Sequence, residues 1–262
     1  MIILNNIHVT FSPGTITEKK ALQGVDLKIQ EGEFVTVIGS NGAGKSTLLN
    51  SIAGEVLPSQ GSICIDDKDV SKLPTYARAD LVARVFQDPL AGTCADLTIA
   101  ENMALALQRG RRRGLSWALT HHTRDLFYQT LKHLDLGLED RLDTLMSLLS
   151  GGQRQAVSLL MATLSPLKIL LLDEHTSALD PKTAAYVMEL SQKIISEKQL
   201  TALMVTHSLH QALHYGTRTI MLHEGKIIYD VSGPERANLT VQDLLKQFGR
   251  SMDDDRLLLQ GG

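Results

Sequence analysis

The stretch that most constrains this chain is Phe34-Val35-Thr36-Val37-Ile38, followed at once by Gly39-Ser40-Asn41-Gly42-Ala43-Gly44-Lys45-Ser46-Thr47. The first five residues are a short apolar run rich in β-branched side chains, the pattern of a parallel strand buried on both faces. The glycines that follow let the backbone turn its N–H groups inward, and Lys45–Ala53 then reads as a helix closed by Gly54. Strand, glycine-rich turn and helix in that order make an anion cradle. N–H groups point at phosphate oxygens, and the helix N-terminus adds a partial positive charge. In such a loop Lys45 is expected to reach the β- and γ-phosphates of a nucleotide, and the Ser46 hydroxyl to coordinate Mg²⁺.

At 262 residues the chain fits one large α/β domain, or a domain with a helical insert. Its 43% hydrophobic and 21% charged residues supply an ordinary core and surface. The net charge of −3 argues against a dedicated nucleic-acid binder, which carries a strong basic excess. Cys64 and Cys94 make no disulfide framework and show no metal-ligand spacing. Cys64, in the alternation Ile63-Cys64-Ile65, is expected as a small buried strand residue. No segment approaches the ~18 apolar residues needed to span a bilayer. Met1–Thr10 lacks the basic and apolar regions of a secretory signal. The expected location is therefore cytoplasmic, with any membrane part supplied by another chain.

Ile2–Thr10 and Leu22–Ile29 alternate as strands of a β layer, separated by Ser12-Pro13-Gly14. Residues 98–149, rich in Leu, Ala, Arg and Gln, read as a helical insert without a strand. The β/α alternation resumes with Ile169–Leu172, a helix from Lys182 to about Ile195, and Thr201–Thr206. Thr219–Leu222 and Lys226–Asp230 flank Glu224-Gly225 as a hairpin. An amphipathic helix is expected over Thr240–Phe248, then a loosely ordered tail, Ser251–Gly262.

Two further segments narrow the chemistry. Ile169-Leu170-Leu171-Leu172-Asp173-Glu174 is a buried strand ending in two carboxylates. Asp173 is placed to face Mg²⁺ through its water shell, and Glu174 to polarise an attacking water. Ser150-Gly151-Gly152-Gln153 opens a helix running to about Thr163, so a hydroxyl, backbone N–H groups and a helix dipole favour a second anion.

With its leucine, Leu149-Ser150-Gly151-Gly152-Gln153 is the LSGGQ signature without a mismatch, and the chain here resembles the ATP-binding cassette (ABC) ATPases along nearly its whole length. Gln87, in Val85-Phe86-Gln87-Asp88-Pro89, looks like the Q-loop glutamine, and Ser177-Ala178-Leu179-Asp180 is similar to the D-loop. His207, in Met204-Val205-Thr206-His207, falls where the family's switch histidine stands; a surface or capping histidine is the plainer alternative. Phe11 resembles the aromatic that stacks on adenine, with core packing as its alternative.

The resemblance implies an α/β fold with a P-loop NTPase (RecA-like) core, an N-terminal antiparallel β layer and an inserted α-helical subdomain. Residues 1–250 would form one ATPase domain, with 1–97 and 150–235 as β layer and core and 98–149 as the helical subdomain. ATP would be held by Phe11, Gly39, Ser40, Asn41, Gly42, Ala43, Gly44, Lys45, Ser46, Thr47 and Gln87, and Mg²⁺ by Ser46, Gln87 and Asp173. Lys45, Glu174 and His207 would serve hydrolysis. Ser150, Gly151, Gly152, Gln153 and Asp180 would close on the ATP of a second copy in a head-to-tail dimer.

His175 stands where many members have proline, and Gln155–Met161 lacks the usual arginine-rich ending. Glu174-His175-Thr176 and His223-Glu224-Gly225 are similar to segments of importer ATPases paired with permeases of the branched-chain amino-acid kind. The resemblance implies the energy-coupling subunit of a transporter, an importer of a small solute such as an amino acid. Its partners would be membrane permease subunits and, through them, a solute-binding protein, with no nucleic acid. The chain would sit on the cytoplasmic face of the membrane, with Pro89–Asp96 lining the groove for the permease. The alternative is a soluble ABC ATPase serving iron–sulfur cluster assembly. The basic run Arg109-Gly110-Arg111-Arg112-Arg113-Gly114 reads as a solvated loop, or as one that approaches anionic headgroups.

Overall fold

A computed structural model describes residues 1–111, 114 and 117–249. The expected loose tail and the arginines at 112 and 113 lie outside the described residues. In chain order the elements are β1 (Ile2–Phe11), β2 (Lys19–Ile29), β3 (Phe34–Gly39), α1 (Lys45–Ala53), β4 (Gln60–Ile65), β5 (Lys68–Asp69) and β6 (Val82–Val85). Then come α2 (Ile99–Leu107), α3 (His121–Lys132), α4 (Gly151–Ala162), β7 (Ile169–Asp173), α5 (Pro181–Glu197) and β8 (Ala202–Val205). The chain continues through α6 (Leu209–His214), β9 (Arg218–His223), β10 (Lys226–Ser232), α7 (Gly233–Ala237) and a helix α8 over 241–249. These elements fall into two units, Met1–Leu73 with Thr201–Gly262, and Pro74–Leu200.

The first unit holds an antiparallel sheet in the order β2-β1-β4-β5. Ile2, Leu4, Ile7 and Val9 of β1 are buried. The strict two-residue alternation slips between Leu4 and Ile7, where the register shifts and Asn6 takes a φ of 47°. Cys64 sits in a strand as expected, yet it is half-buried, because Ile63 and Ile65 take the inward positions and the pleat turns the residue between them outward.

The same unit holds β10-β9-β3-β8. β3 is parallel to both neighbours, Phe34 lying beside Ala202 and Val37 beside Val205 on one side, Val35 beside Arg218 and Gly39 beside Leu222 on the other. A central strand has no solvent face, so Phe34, Val35, Thr36, Val37 and Ile38 are all buried. Thr36, the polar member, is satisfied by donating to the Ala212 carbonyl at 3.0 Å. β9 and β10 form the expected hairpin, whose turn residues Glu224 and Gly225 have φ of 44° and 76°, the two positive values of a tight I′ turn. Leu244 of α8 is buried with Ile38, Ala212 and Met221.

In the second unit β6 pairs in parallel with β7, Val82 beside Ile169 and Val85 beside Leu172. Ile169, Leu170, Leu171 and Leu172 are fully buried. The expected helical insert contains α2 and α3, each opened by a threonine capping box (Thr98 with Glu101, Thr120 with Thr123). Among its described residues extended pairing is limited to one bridge, Thr98 to Leu145. Phe127 and Leu131 bury the inner face of α3, and the Tyr186 hydroxyl of α5 donates to the Leu134 carbonyl at 2.5 Å. Arg109 corrects the reading of the basic run. Its guanidinium donates to the carbonyls of Ala162 (2.8 Å) and Ser165 (3.3 Å) at the C-terminal end of α4, where a cation answers the helix dipole. No helix of the described residues is long and apolar enough to cross a membrane.

Candidate active site

In the first unit the glycine-rich loop grows directly out of β3. Gly44 caps α1 with φ 102° and ψ 4°, a conformation that side chains resist. A Cβ there would also stand 2.5 Å from the Ala21 carbonyl oxygen and 3.0 Å from Leu22 Cδ2, so glycine is required twice over. The loop is fastened by hydrogen bonds from Ala43 N to Ser40 O (3.2 Å) and from Gly225 N to Ala43 O (3.0 Å). No side chain caps α1 at Gly44 and its first turn holds no acid, which leaves helix N–H donors for an anion. Lys45 is only 5% exposed, and its ammonium donates to the carbonyls of Gly39 (2.8 Å) and Ser40 (3.0 Å). The cation is thereby held across the loop that a phosphate would enter. Ser46 and Asn41 are exposed at the surface of the loop and Thr47 is half-buried.

The parallel pairing of β3 with β8 brings a second predicted residue to the same edge. Val37 lies beside Val205, and Thr206 N donates to Val37 O at 3.1 Å. His207, next in the chain, is exposed at the edge from which the glycine-rich loop emerges. Ser208, not His207, caps α6, so the capping alternative for this histidine is excluded. Phe11 ends β1 opposite Lys19, is 40% exposed, and is therefore not a core residue. The Lys19 ammonium lies 3.9 Å from where a Gly42 Cβ would stand.

In the second unit Asp173 ends β7, and its Oδ2 is 2.5 Å from the guanidinium Nη2 of Arg84 on β6. The Arg84 Cζ also lies 4.7 Å from the centroid of the Phe86 ring. The next residue, Gln87, is exposed where β6 leaves its pairing with β7. Glu174 has a φ of 46°, unusual for a residue with a side chain, and its carbonyl receives both the N–H and the hydroxyl of Ser177 at 2.9 Å each. His175 is 1% exposed, and its Nε2 lies 2.9 Å from Ser191 Oγ. Ser191 donates its own proton to the Val187 carbonyl, so the ring nitrogen is the donor in that pair. Burial pushes the imidazole pKa down to about 4. The turn that a proline would restrain is anchored here by a neutral histidine.

The signature residues form a capping box. Ser150 Oγ accepts from Gln153 N at 3.3 Å, and Gln153 Oε1 accepts from Ser150 N at 3.1 Å. Gly151 and Gly152 lie against the start of α5 and the turn before it: a Cβ on Gly151 would touch Leu179 of that turn, and one on Gly152 would collide with Thr183 Cγ2 of the helix. Asp180 caps α5 by accepting from Thr183 N at 3.2 Å, and hydrogen bonding by the Thr183 side chain, with that backbone bond, holds its carboxyl below the usual carboxylate range. Three residues escape sequence reading. Gln155 is fully buried in α4 and donates from Nε2 to the Phe86 carbonyl at 3.0 Å. Arg154 donates to the carbonyls of Met146 and Ser147, just ahead of the signature, and of Leu149, its first residue. Arg84 is the third; its only signal is a cation within an apolar strand.

Among the described residues no group of three or more His, Cys, Asp or Glu side chains could hold a metal ion by itself. Ser46 and Asp173 offer hard oxygen donors. Each is a donor of the kind that Mg²⁺ takes, an ion that binds one or two protein oxygens and completes its shell with phosphates and water.

Compared with known sequences, residues 22–177 match the family described as ABC transporter. The chain belongs to this family and is an ATPase of the ATP-binding cassette class. It is 47% identical over 253 residues to a tyrosine transport ATP-binding protein of Clostridioides difficile, covering 95% of this chain and 98% of that one. With the thiamine import ATP-binding protein ThiQ of Yersinia pseudotuberculosis it shares 39% identity over 214 residues, 81% of this chain and 84% of the relative. Among solved structures it is similar to a dimeric ATP-binding cassette in a post-hydrolysis state bound to ADP and phosphate. That match has a TM-score of 0.76 and 33% identity, covering 88% of this chain and 98% of the other. The α/β cassette fold expected from the motifs is thus the fold of the chain.

Proposed function

We propose that this chain is the energy-coupling subunit of an importer of a small solute, and that the solute is an amino acid. The observation that carries this reading is the 47% identity, across nearly both full lengths, to a protein named for tyrosine transport. A chain of this kind works at the cytoplasmic face of a membrane, bound to permease subunits that a solute-binding protein supplies from the other side.

In this reading Gly39 to Thr47 hold the phosphates of ATP, with Lys45 on the β- and γ-phosphates and Phe11 against the adenine. Ser46, Gln87 and Asp173 would hold Mg²⁺, Asp173 through the ion's water shell, and the ion would supply neutralisation of phosphate charge. Glu174 orients and deprotonates the attacking water, and His207 contacts the γ-phosphate. Ser150, Gly151, Gly152, Gln153 and Asp180 serve the ATP held by a second copy of the chain, so each copy brings half of two sites. The dimeric cassette similar to this chain supports that pairing. Residues 1–250 act as one ATPase domain, 98–149 being its helical subdomain and Pro89–Asp96 the permease-facing groove.

The direct test is purification of a tagged chain from detergent-solubilised membranes. An integral membrane protein should co-purify and be identifiable by mass spectrometry. Recovery of soluble partners alone would contradict the transport reading and favour an assembly ATPase.

A further inference from the structure

Arg84 is the one charged residue of β6, and at 11% exposure its guanidinium needs a partner. Two of its contacts lie on different segments. One is the Asp173 carboxylate at the end of β7, itself 14% exposed, at 2.5 Å. The other is the face of Phe86, 4.7 Å away, the residue from which Gln87 follows. A planar guanidinium can meet a carboxylate in its plane and an aromatic ring with its face, which an ammonium cannot do together. The Phe86 carbonyl is held in turn by Gln155 of α4 at 3.0 Å. One side chain therefore joins the carboxylate that ends β7 to the segment carrying Gln87.

We propose that Arg84 is a positioning residue. It fixes the orientation in which Asp173 presents its carboxylate to the magnesium–nucleotide complex, and it couples that carboxylate to the Phe86–Gln87 segment. The proposal rests on the role assigned to Asp173 above. A carboxylate free to rotate must lose that freedom when it takes up a hydrated ion, whereas one pinned by a guanidinium has already lost it. Groups that orient a metal-facing side chain without touching the metal typically change apparent metal affinity by about 10–100-fold when removed.

The test uses the full-length protein, a fluorescent ATP analogue and a Mg²⁺ titration, with hydrogen–deuterium exchange of residues 86–92 followed alongside. Arg84→Met should weaken the apparent Mg²⁺ affinity by about 10–100-fold while leaving nucleotide binding without Mg²⁺ unchanged. It should also abolish the change in exchange of residues 86–92 on adding Mg²⁺ and nucleotide. Arg84→Lys keeps the charge but not the planar stack, so it should recover most of the Mg²⁺ affinity and little of the exchange response. An unchanged Mg²⁺ titration in Arg84→Met would overturn the proposal. So would an equal loss of binding with and without Mg²⁺, because that is what a merely structural arginine gives. Asp173→Asn separates the two levels of the argument. If that variant keeps the wild-type Mg²⁺ dependence, the role of Asp173 falls and the Arg84 proposal with it. If it loses that dependence while Arg84→Met does not, the Arg84 proposal alone falls.

Discussion

Gln155, fully buried in α4, donates a hydrogen bond to the carbonyl of Phe86 at 3.0 Å, tying the helix opened by Ser150 to the residue just before Gln87. Gln155→Met keeps the length of the side chain and removes the donor, leaving the Phe86 carbonyl without that partner. Chemical denaturation should show a loss of about 1–3 kcal/mol, the cost of an unsatisfied buried polar group. A loss of only a few tenths would mean that the carbonyl finds another donor.

Gly44→Ala should harm both fold and binding. The φ of 102° costs a side chain on the order of 1–2 kcal/mol, and the new methyl would press on the Ala21 carbonyl oxygen at 2.5 Å. Fluorescent-nucleotide titration should find affinity at least about tenfold weaker, roughly the effect of 1.4 kcal/mol. Wild-type affinity would show that the loop does not depend on this conformation.

His175 makes stability depend on pH. Its folded pKa of about 4 lies below the ordinary 6.5, so the unfolded chain takes up its proton first as pH falls. Full stability is present above pH 6.5 and declines through the window from 6.5 to 4, by up to about 3 kcal/mol. His175→Gln keeps a donor toward Ser191 and carries no titrating group. In nucleotide-free, magnesium-free protein, the stability difference between wild type and this variant should therefore shift across that window. Parallel curves would contradict a buried neutral imidazole.

Ser150→Arg should leave ATP binding intact and abolish hydrolysis. Mixing it with Lys45→Ala should recover part of the activity, because a mixed dimer contains one site in which both halves are wild type. No recovery on mixing, or undiminished hydrolysis by Ser150→Arg alone, would remove the shared-site account.

How much of this was legible in the sequence depends on whether the signal was local. The helix Lys45–Ala53 and its Gly54 cap agree residue for residue, because strand, glycine turn and helix are encoded within one contiguous stretch. The Glu224-Gly225 hairpin and the Ser150–Gln153 helix start are legible for the same reason. Arg109 departs from the solvated run expected of its neighbours because its partners, Ala162 and Ser165, lie more than fifty positions away. Arg84 with Asp173 and His175 with Ser191 are likewise tertiary pairs that no spacing rule announces. Cys64 shows the limit of alternation, which gives the period of a strand but not which phase faces the core.

The central claim, that this chain hydrolyses ATP with Glu174 as the group that activates water, is tested most directly by the turnover of Glu174→Gln. The purified variant should hydrolyse ATP about 10²–10⁴-fold more slowly than wild type, the usual cost of losing a general base, and should accumulate as an ATP-bound dimer on size-exclusion chromatography. A wild-type rate would contradict the assignment.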